Sequence, residues 1–325
     1  MPEKALIEKL AALTGFERGV LEKVLVLTSI LRALNHHETI RNWWLLKGGT
    51  ALNLLYLDLP RLSVDIDLNF IGVSSVKDLP KARQTFEAAL SAICERERCS
   101  VKRVPTSHAG GKFRLRFDSA FGSAQNLEVD VNYVSRVPLY GILSKETNFP
   151  PIDNIREKLF VPTLSFEELA AGKFAALVSR FAARDAFDAA SILTKEPLLL
   201  KAKDFRIAFI CNVASGRADI RTIKTGTFKL DKREIKEKLE PLLQGHSEVV
   251  SKRKDIAHDI EKIISGAIER LIDFSNKEKA FLDSFLDTGE IKSELLTNDP
   301  KLQHRIKQQP MLLWKQKHVI AQLTK

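Results

Sequence analysis

The 325 residues are 44% apolar and carry 51 Lys and Arg against 41 Asp and Glu, a net charge of +10. That apolar content can fill a globular core, which excludes a disordered or fibrous chain, and the length suits two domains of ordinary size. No apolar run approaches the roughly 18 to 20 residues needed to cross a bilayer, and cations spread along the whole chain favour an anionic partner, nucleotide or nucleic acid.

Leu, Ile and Val recur at helical spacing over residues 2–13 and 17–36, broken at Thr14-Gly15, so two helices are expected first. His36 and His37 close the second, where a histidine complements the helix dipole. Trp43 to Lys47 reads as a strand feeding Gly48-Gly49-Thr50, and a short helical pattern runs from Ala51 to Tyr56. Glycine lets backbone amides approach a phosphate, and a helix starting near Thr50 points its first N–H groups at the same place. Alone, such a turn is an ordinary strand-to-helix connection.

Two nearby acids change its meaning. In Val64-Asp65-Ile66-Asp67-Leu68 the carboxylates are two residues apart in a strand-like run, so both are expected on one face with the apolar neighbours on the other. Paired carboxylates repel, and a divalent cation between them relieves the repulsion. The stretch from Leu45 to Phe70 therefore reads as a phosphate loop followed by a metal-binding strand.

Residues 77–99 keep a helical stripe of Leu79, Phe86, Leu90 and Ile93. Between Val101 and Tyr133 the period becomes two, with a turn over Ser119 to Asn126, which predicts an antiparallel hairpin. Its second strand places Glu128, Asp130 and Asn132 on one face, and Asp130 is the central candidate for a third acid that activates an attacking hydroxyl, with Glu128 as the competing assignment. Pro138 to Pro162 reads as a linker with a short helix or strand inside it, which puts a domain boundary near residue 150.

Beyond it Ser165-Phe166-Glu167-Glu168 predicts a capping box, and the next helix carries Lys173, Leu177, Arg180 and Arg184 on one face. Three cations on a shared face can hold triphosphate oxygens. Asp188 continues the Lys173 face if the helix is unbroken, and Asp185 does not. From Lys201 onward the pattern is helical and charged, with a basic cluster of Arg217, Arg221, Lys224, Lys229, Lys232 and Arg233 able to track a nucleic-acid backbone. The segment Gln309 to Lys315 is apolar enough to dock back on the core. Cys94, Cys99 and Cys211 are an odd count without paired metal spacing, and no secretory pattern opens the chain, so reduced thiols and a cytoplasmic location are expected.

Four of these segments together resemble the AbiEii/AbiGii-type nucleotidyltransferase toxins, whose core is similar to that of DNA polymerase β. They are Lys47 to Leu52, Arg61 to Leu68, Glu167 through Lys173 to Leu177, and Arg184 to Asp188. The expected fold is α+β: a catalytic domain over residues 1–150 with a mixed sheet flanked by helices, then a mainly helical domain over 151–325 that completes the NTP site and contacts the acceptor. The resemblance implies that Asp65 and Asp67 hold Mg²⁺ (or Mn²⁺), joined on the strand-face argument by Asp130. It implies that Gly48, Gly49 and Thr50 cradle the NTP phosphates with Lys47 and Ser63 beside them, and that Lys173 clamps the triphosphate with Arg180 and Arg184 on its face. Asp188 is then the essential acid of the fourth segment, with Asp185 next. Implied partners are an NTP, an RNA acceptor such as a tRNA 3′ end, and a cognate antitoxin, but no membrane. Transfer to a protein hydroxyl, a module that binds NTP or RNA without chemistry, and a plain helical interaction protein stand as alternatives.

Overall fold

A computed structural model of the chain describes residues 2–105, 110–149, 158–223, 229–245 and 256–323. The chain forms two compact units: the first comprises Met1–Arg136, Ile142–Leu164 and Glu237–Lys254, the second Val137–Gly141, Ser165–Lys236 and Asp255–Lys325.

Unit 1 opens with the two expected helices, α1 (Lys4–Thr14), closed by Gly15 in the left-handed conformation, and α2 (Arg18–His36). Its centre is a seven-stranded mixed sheet of β1 (Trp44–Leu46), β2 (Ile66–Phe70), β3 (Ser100–Val104), β4 (Gly110–Asp118), β5 (Ala124–Asn132), β6 (Leu143–Glu146) and β7 (Phe160–Thr163), in the spatial order β3-β4-β5-β2-β1-β7-β6. β2 runs parallel to β5 and β1 parallel to β7, while the other pairs are antiparallel. Alternation gives β4 and β5 their apolar side: Phe113, Leu115, Phe117, Leu127, Val129 and Val131 are buried on one face, which α2 and α4 (Leu79–Arg96) cover. Phe70 meets Phe86 and Tyr133 edge-on or tilted, with centroids 5.4 and 5.3 Å away.

The hairpin turn is shorter than the expected Ser119 to Asn126, because pairing persists to Asp118 opposite Ala124. The fully buried Glu22 of α2 pins that turn, accepting from Ser119 Oγ at 2.6 Å and from the Ala120 N–H at 2.7 Å. In the stretch expected to be a linker, residues 150–157 fall outside the described residues, but β6 and β7 on either side extend the sheet, so unit 1 runs on to Leu164. Thr163 secures β7 to β1 by donating its hydroxyl to Leu46 O at 2.9 Å.

Unit 2 is helical. α5 (Phe166–Arg180), α6 (Ala183–Lys195) and α7 (Lys203–Ala214) surround Phe174, Phe205 and Phe209, all fully buried. Further helices span Ile256–Ile272, Asn276–Asp283, Pro300–Lys307 and Pro310–Leu323. The last of these buries Leu312 and Val319, as the apolar segment suggested, and leaves Trp314 exposed. Burial raises all three thiols, Cys99 to about 11, which suits packing residues rather than nucleophiles.

Two expectations change here. The predicted basic cluster loses Arg221, whose guanidinium forks onto Asp219, Asp283 and Asp287 at 2.7, 2.9 and 2.8 Å, while Lys224 lies outside the described residues. The predicted capping box is half made: Ser165 accepts from the Glu168 N–H at 3.2 Å, but the Glu168 carboxylate turns to the N–H groups of Leu139 at 3.1 Å and Tyr140 at 3.3 Å. Arg305 donates to Leu139 O and Gln309 to Val137 O, so the short segment Val137–Gly141 is strapped to unit 2 by side chains.

Burial pushes the Glu168 carboxyl up to about 7, outweighing the two N–H groups and Arg305. In the unfolded chain it ionises near 4.5, so across that window the folded state binds more protons and stability falls as pH rises, levelling off above it. Glu168→Gln keeps an acceptor for both N–H groups and cannot ionise. Its stability relative to the parent is expected to improve by about 1–3 kcal/mol between pH 5 and pH 8. Thermal melts of both proteins at several pH values check this; parallel curves would refute the assignment.

Candidate active site

The acids and the glycine turn meet in unit 1. Lys47 caps α3 (Gly48–Ala51), which continues as one π-helical turn over Leu52–Tyr56. Ala51 N–H gives the first intrahelical bond, to Lys47 O at 3.3 Å. The N–H groups of Gly48, Gly49 and Thr50 therefore stand ahead of the helical ladder, as anion-binding amides do. Gly48 has φ +71°, and a Cβ there would collide with the Asp67 carboxylate. Only glycine brings the loop backbone this close to an acid. Lys47 N–H also donates to Asp67 O at 2.9 Å, which ties the loop to β2.

Thr50 and Ser63 lie behind this surface. Thr50 is fully buried; its Oγ1 donates to Asp65 O at 2.5 Å and lies 2.8 Å from Ser63 Oγ. These hydroxyls hold the Asp65 backbone in place, so Thr50 can offer a phosphate its N–H and Ser63 serves as its anchor. The buried Asn53 donates to Gly49 O at 2.8 Å and fixes the second glycine.

β2 begins at Ile66, so Asp65 precedes the strand and Asp67 sits within it. The expectation that one strand presents both carboxylates holds for Asp67 alone; Asp65 is positioned by the Thr50 hydroxyl. Asp67 is paired in register with Asp130 of β5, and Asp130 with Lys112 of β4, so Lys112, Asp130 and Asp67 form one row across the sheet. Partners in a row share a face and stand about 4.8 Å apart. Glu128, one row away, is already engaged by Lys112 Nζ at 2.8 Å and Arg114 Nε at 3.2 Å, which hold its carboxyl below the usual range. Lys112 is the residue that sequence reading missed: alternation shows that it faces outward, but only the register sets it beside Asp130.

Among the described residues no three His, Cys, Asp or Glu side chains converge into a metal cage. Carboxylates beside a phosphate loop fit a hard divalent ion all the same, because Mg²⁺ is usually held by one or two carboxylates together with substrate phosphates.

Lys173, Asp185 and Asp188 meet in unit 2. Lys173 Nζ lies 2.7 Å from Asp185 Oδ1 and 3.0 Å from Asp188 Oδ2, and Arg180 Nε lies 2.5 Å from Asp185 Oδ2. Lys173 and both acids are buried. Burial alone would raise the Asp185 carboxyl; Lys173 and Arg180 outweigh it and hold it below the usual range. The single basic face expected through Arg184 is not formed. Phe181 takes a left-handed φ of 52°, α5 ends at Arg180, and Arg184 belongs to α6. The same break lets α6 pack against α5, so that Asp185, expected to point elsewhere, reaches Lys173 as Asp188 does.

Among the described residues no helix is long and apolar enough to cross a membrane. A comparison with curated proteins finds no match. Among solved structures, MenT4, a nucleotidyltransferase toxin from Mycobacterium tuberculosis H37Rv, is similar in fold: 16% identity over 97% of this chain and 99% of that chain, with a TM-score of 0.60. The family model for the nucleotidyl transferase AbiEii toxin of the type IV toxin–antitoxin system matches residues 29–273, well over half of the sequence. A glycine turn against one acid of a sheet and a buried Lys–Asp–Asp set thus sit in a chain that belongs to the AbiEii nucleotidyltransferase toxin family.

Proposed function

We propose that this nucleotidyltransferase toxin moves a nucleoside monophosphate from an NTP to an RNA acceptor, a tRNA 3′ end in the first instance, and thereby inhibits translation and growth. Membership of the family implies a nucleotide substrate and an antitoxin counterpart; the RNA acceptor and the divalent ion are the finer part of the reading. Its main support is the contact between Gly48 and the Asp67 carboxylate, with Asp130 beside Asp67 in the ladder.

In this reading the Gly48, Gly49 and Thr50 amides take the phosphates, with the Lys47 ammonium adding charge at the rim. Asp65, Asp67 and Asp130 are the carboxylates proposed for Mg²⁺ or Mn²⁺, which one or two of them would hold together with the substrate phosphates, with Asp130 rather than the ion-paired Glu128 as the third. A bound divalent ion would neutralise charge on the phosphates and lower the pKa of the acceptor hydroxyl. Asp130, exposed in the middle of the row between Asp67 and Lys112, is the proposed acceptor of the hydroxyl proton. Most of the catalysis is positioning, which rigid strands supply better than loops. Lys173 and Asp188 are proposed as residues needed for activity, with Asp185 and Arg180 keeping the Lys173 ammonium fixed. Arg184 is kept as a weaker contributor to NTP binding.

Incubation with each α-labelled NTP, total RNA and cell protein reads out both donor and acceptor. Label is expected on an RNA band of tRNA size; label on protein alone would move the acceptor to a protein hydroxyl. Asp65→Asn with Asp67→Asn is expected to abolish transfer while the thermal melt is retained, and undiminished transfer would remove these acids from the site. Gly48→Ala forces a side chain into both an unfavourable φ and the Asp67 carboxylate. A stability loss of about 1–3 kcal/mol and a much larger fractional loss of transfer are expected, measured by melting and by single-turnover kinetics.

A further inference from the structure

The sheet face that carries Asp67 and Asp130 does not stop at the acids. It continues outward through β5, β4 and β3, and the register defines what it presents. Beyond the row of Asp67, Asp130 and Lys112, which ends at Val104, the next row is Glu128, Arg114 and Lys102. The row after that is Asn126, Arg116 and Ser100. Successive rows are two residues apart, about 7 Å along the strands.

Lys102, Arg114 and Arg116 are exposed, with Arg114 at 63%. Among the described residues of these rows, Glu128, shared by Lys112 and Arg114, is the acid that faces these three cations until Asp118 at the far end, while Lys112 also has Asp130 beside it. Lys102 is directly opposite Arg114 in the ladder, and like charges in that position destabilise a sheet. Arg114 and Arg116 also succeed one another on the same face. Folding alone gives no reason to collect cations here, since the other face supplies the core. A polyanion lying along the strands removes the repulsion, and its end arrives at the acids.

We infer that the open face of β3, β4 and β5 is the track on which the phosphodiester backbone of the RNA acceptor lies, with Lys102, Arg114 and Arg116 as phosphate contacts that lead its 3′ end toward Asp67 and Asp130. This rests on RNA being the acceptor and adds where that acceptor binds. Such contacts fix position and carry no base specificity, so the track sets how the strand is presented and leaves the choice of sequence to other residues.

The test is the full-length triple variant K102A/R114A/R116A, whose changes are confined to exposed positions. Anisotropy of a fluorescein-labelled single-stranded RNA oligonucleotide is measured over a range of salt, and NTP binding with Mg²⁺ by calorimetry. The variant is expected to bind RNA about 10- to 100-fold more weakly at low salt, with its log K against log salt slope shallower by about 2, as three lost phosphate contacts at roughly 0.7 each require. NTP affinity and the thermal melt are expected to be unchanged. RNA binding equal to the parent in both affinity and slope overturns the track and leaves the RNA reading intact. Failure of the parent protein to bind RNA at all, with label transferred to protein, overturns the reading and the track together.

Discussion

The parallel pairing of β2 with β5 is the constraint on which the rest of the site depends. It sets Asp67 beside Asp130 on one face of a sheet whose other face is core. Two carboxylates at one strand spacing repel, and Lys112, next to Asp130 in the row, brings a cation to that end of it while also pairing with Glu128. Moving either strand by one residue would turn its acid into the apolar layer and bring Val or Leu out. The buried residues that alternate with the acids, Ile66, Leu68, Val129 and Val131, therefore fix the site as firmly as they fix the core.

Around that pair the chain uses backbone rather than long side chains. Gly48 places its α-carbon against Asp67, Lys47 N–H bonds Asp67 O, and the Thr50 hydroxyl bonds Asp65 O. Segments apart in sequence are thus held by short, buried contacts with little freedom to move. In unit 2 the corresponding contacts are charged: Lys173 is enclosed by Asp185 and Asp188, and removing one partner of such a buried set costs about 3–5 kcal/mol because the remaining charge is left uncompensated.

Much of this was legible in the sequence where one residue type admits one reading. Alternation from Phe113 to Phe117 and from Leu127 to Tyr133 marked the strands and the face of Asp130, and Gly-Gly-Thr before Asp-Ile-Asp marked the loop and its acid. What was not legible depended on partners distant in sequence. Pairing of β2 with the distant β5, on the edge away from β1, brings Lys112 and Asp130 into the row of Asp67, and no local pattern encodes that. Asp65 falls outside the strand although its spacing matches Asp67. The break at Phe181 was hidden because no Gly or Pro marks it; an aromatic residue takes the left-handed conformation there. Arg221 looked like part of a basic surface until helix Asn276–Asp283 and the turn after it brought Asp283 and Asp287 to it.

The first unit draws on three separated pieces of chain, and its last described contacts come late. Leu62 N–H bonds Leu242 O, Arg61 bridges Leu243, and Gly245 N–H bonds Gly15 O. On the ribosome, the segment that carries Arg61 and leads into Asp65 and Asp67 is made long before the residues that seal it. A chain that ends before residue 242 lacks these contacts. The stretch that leads into the acids is thus held by residues far along the chain, and the first unit is complete only when that later piece joins it.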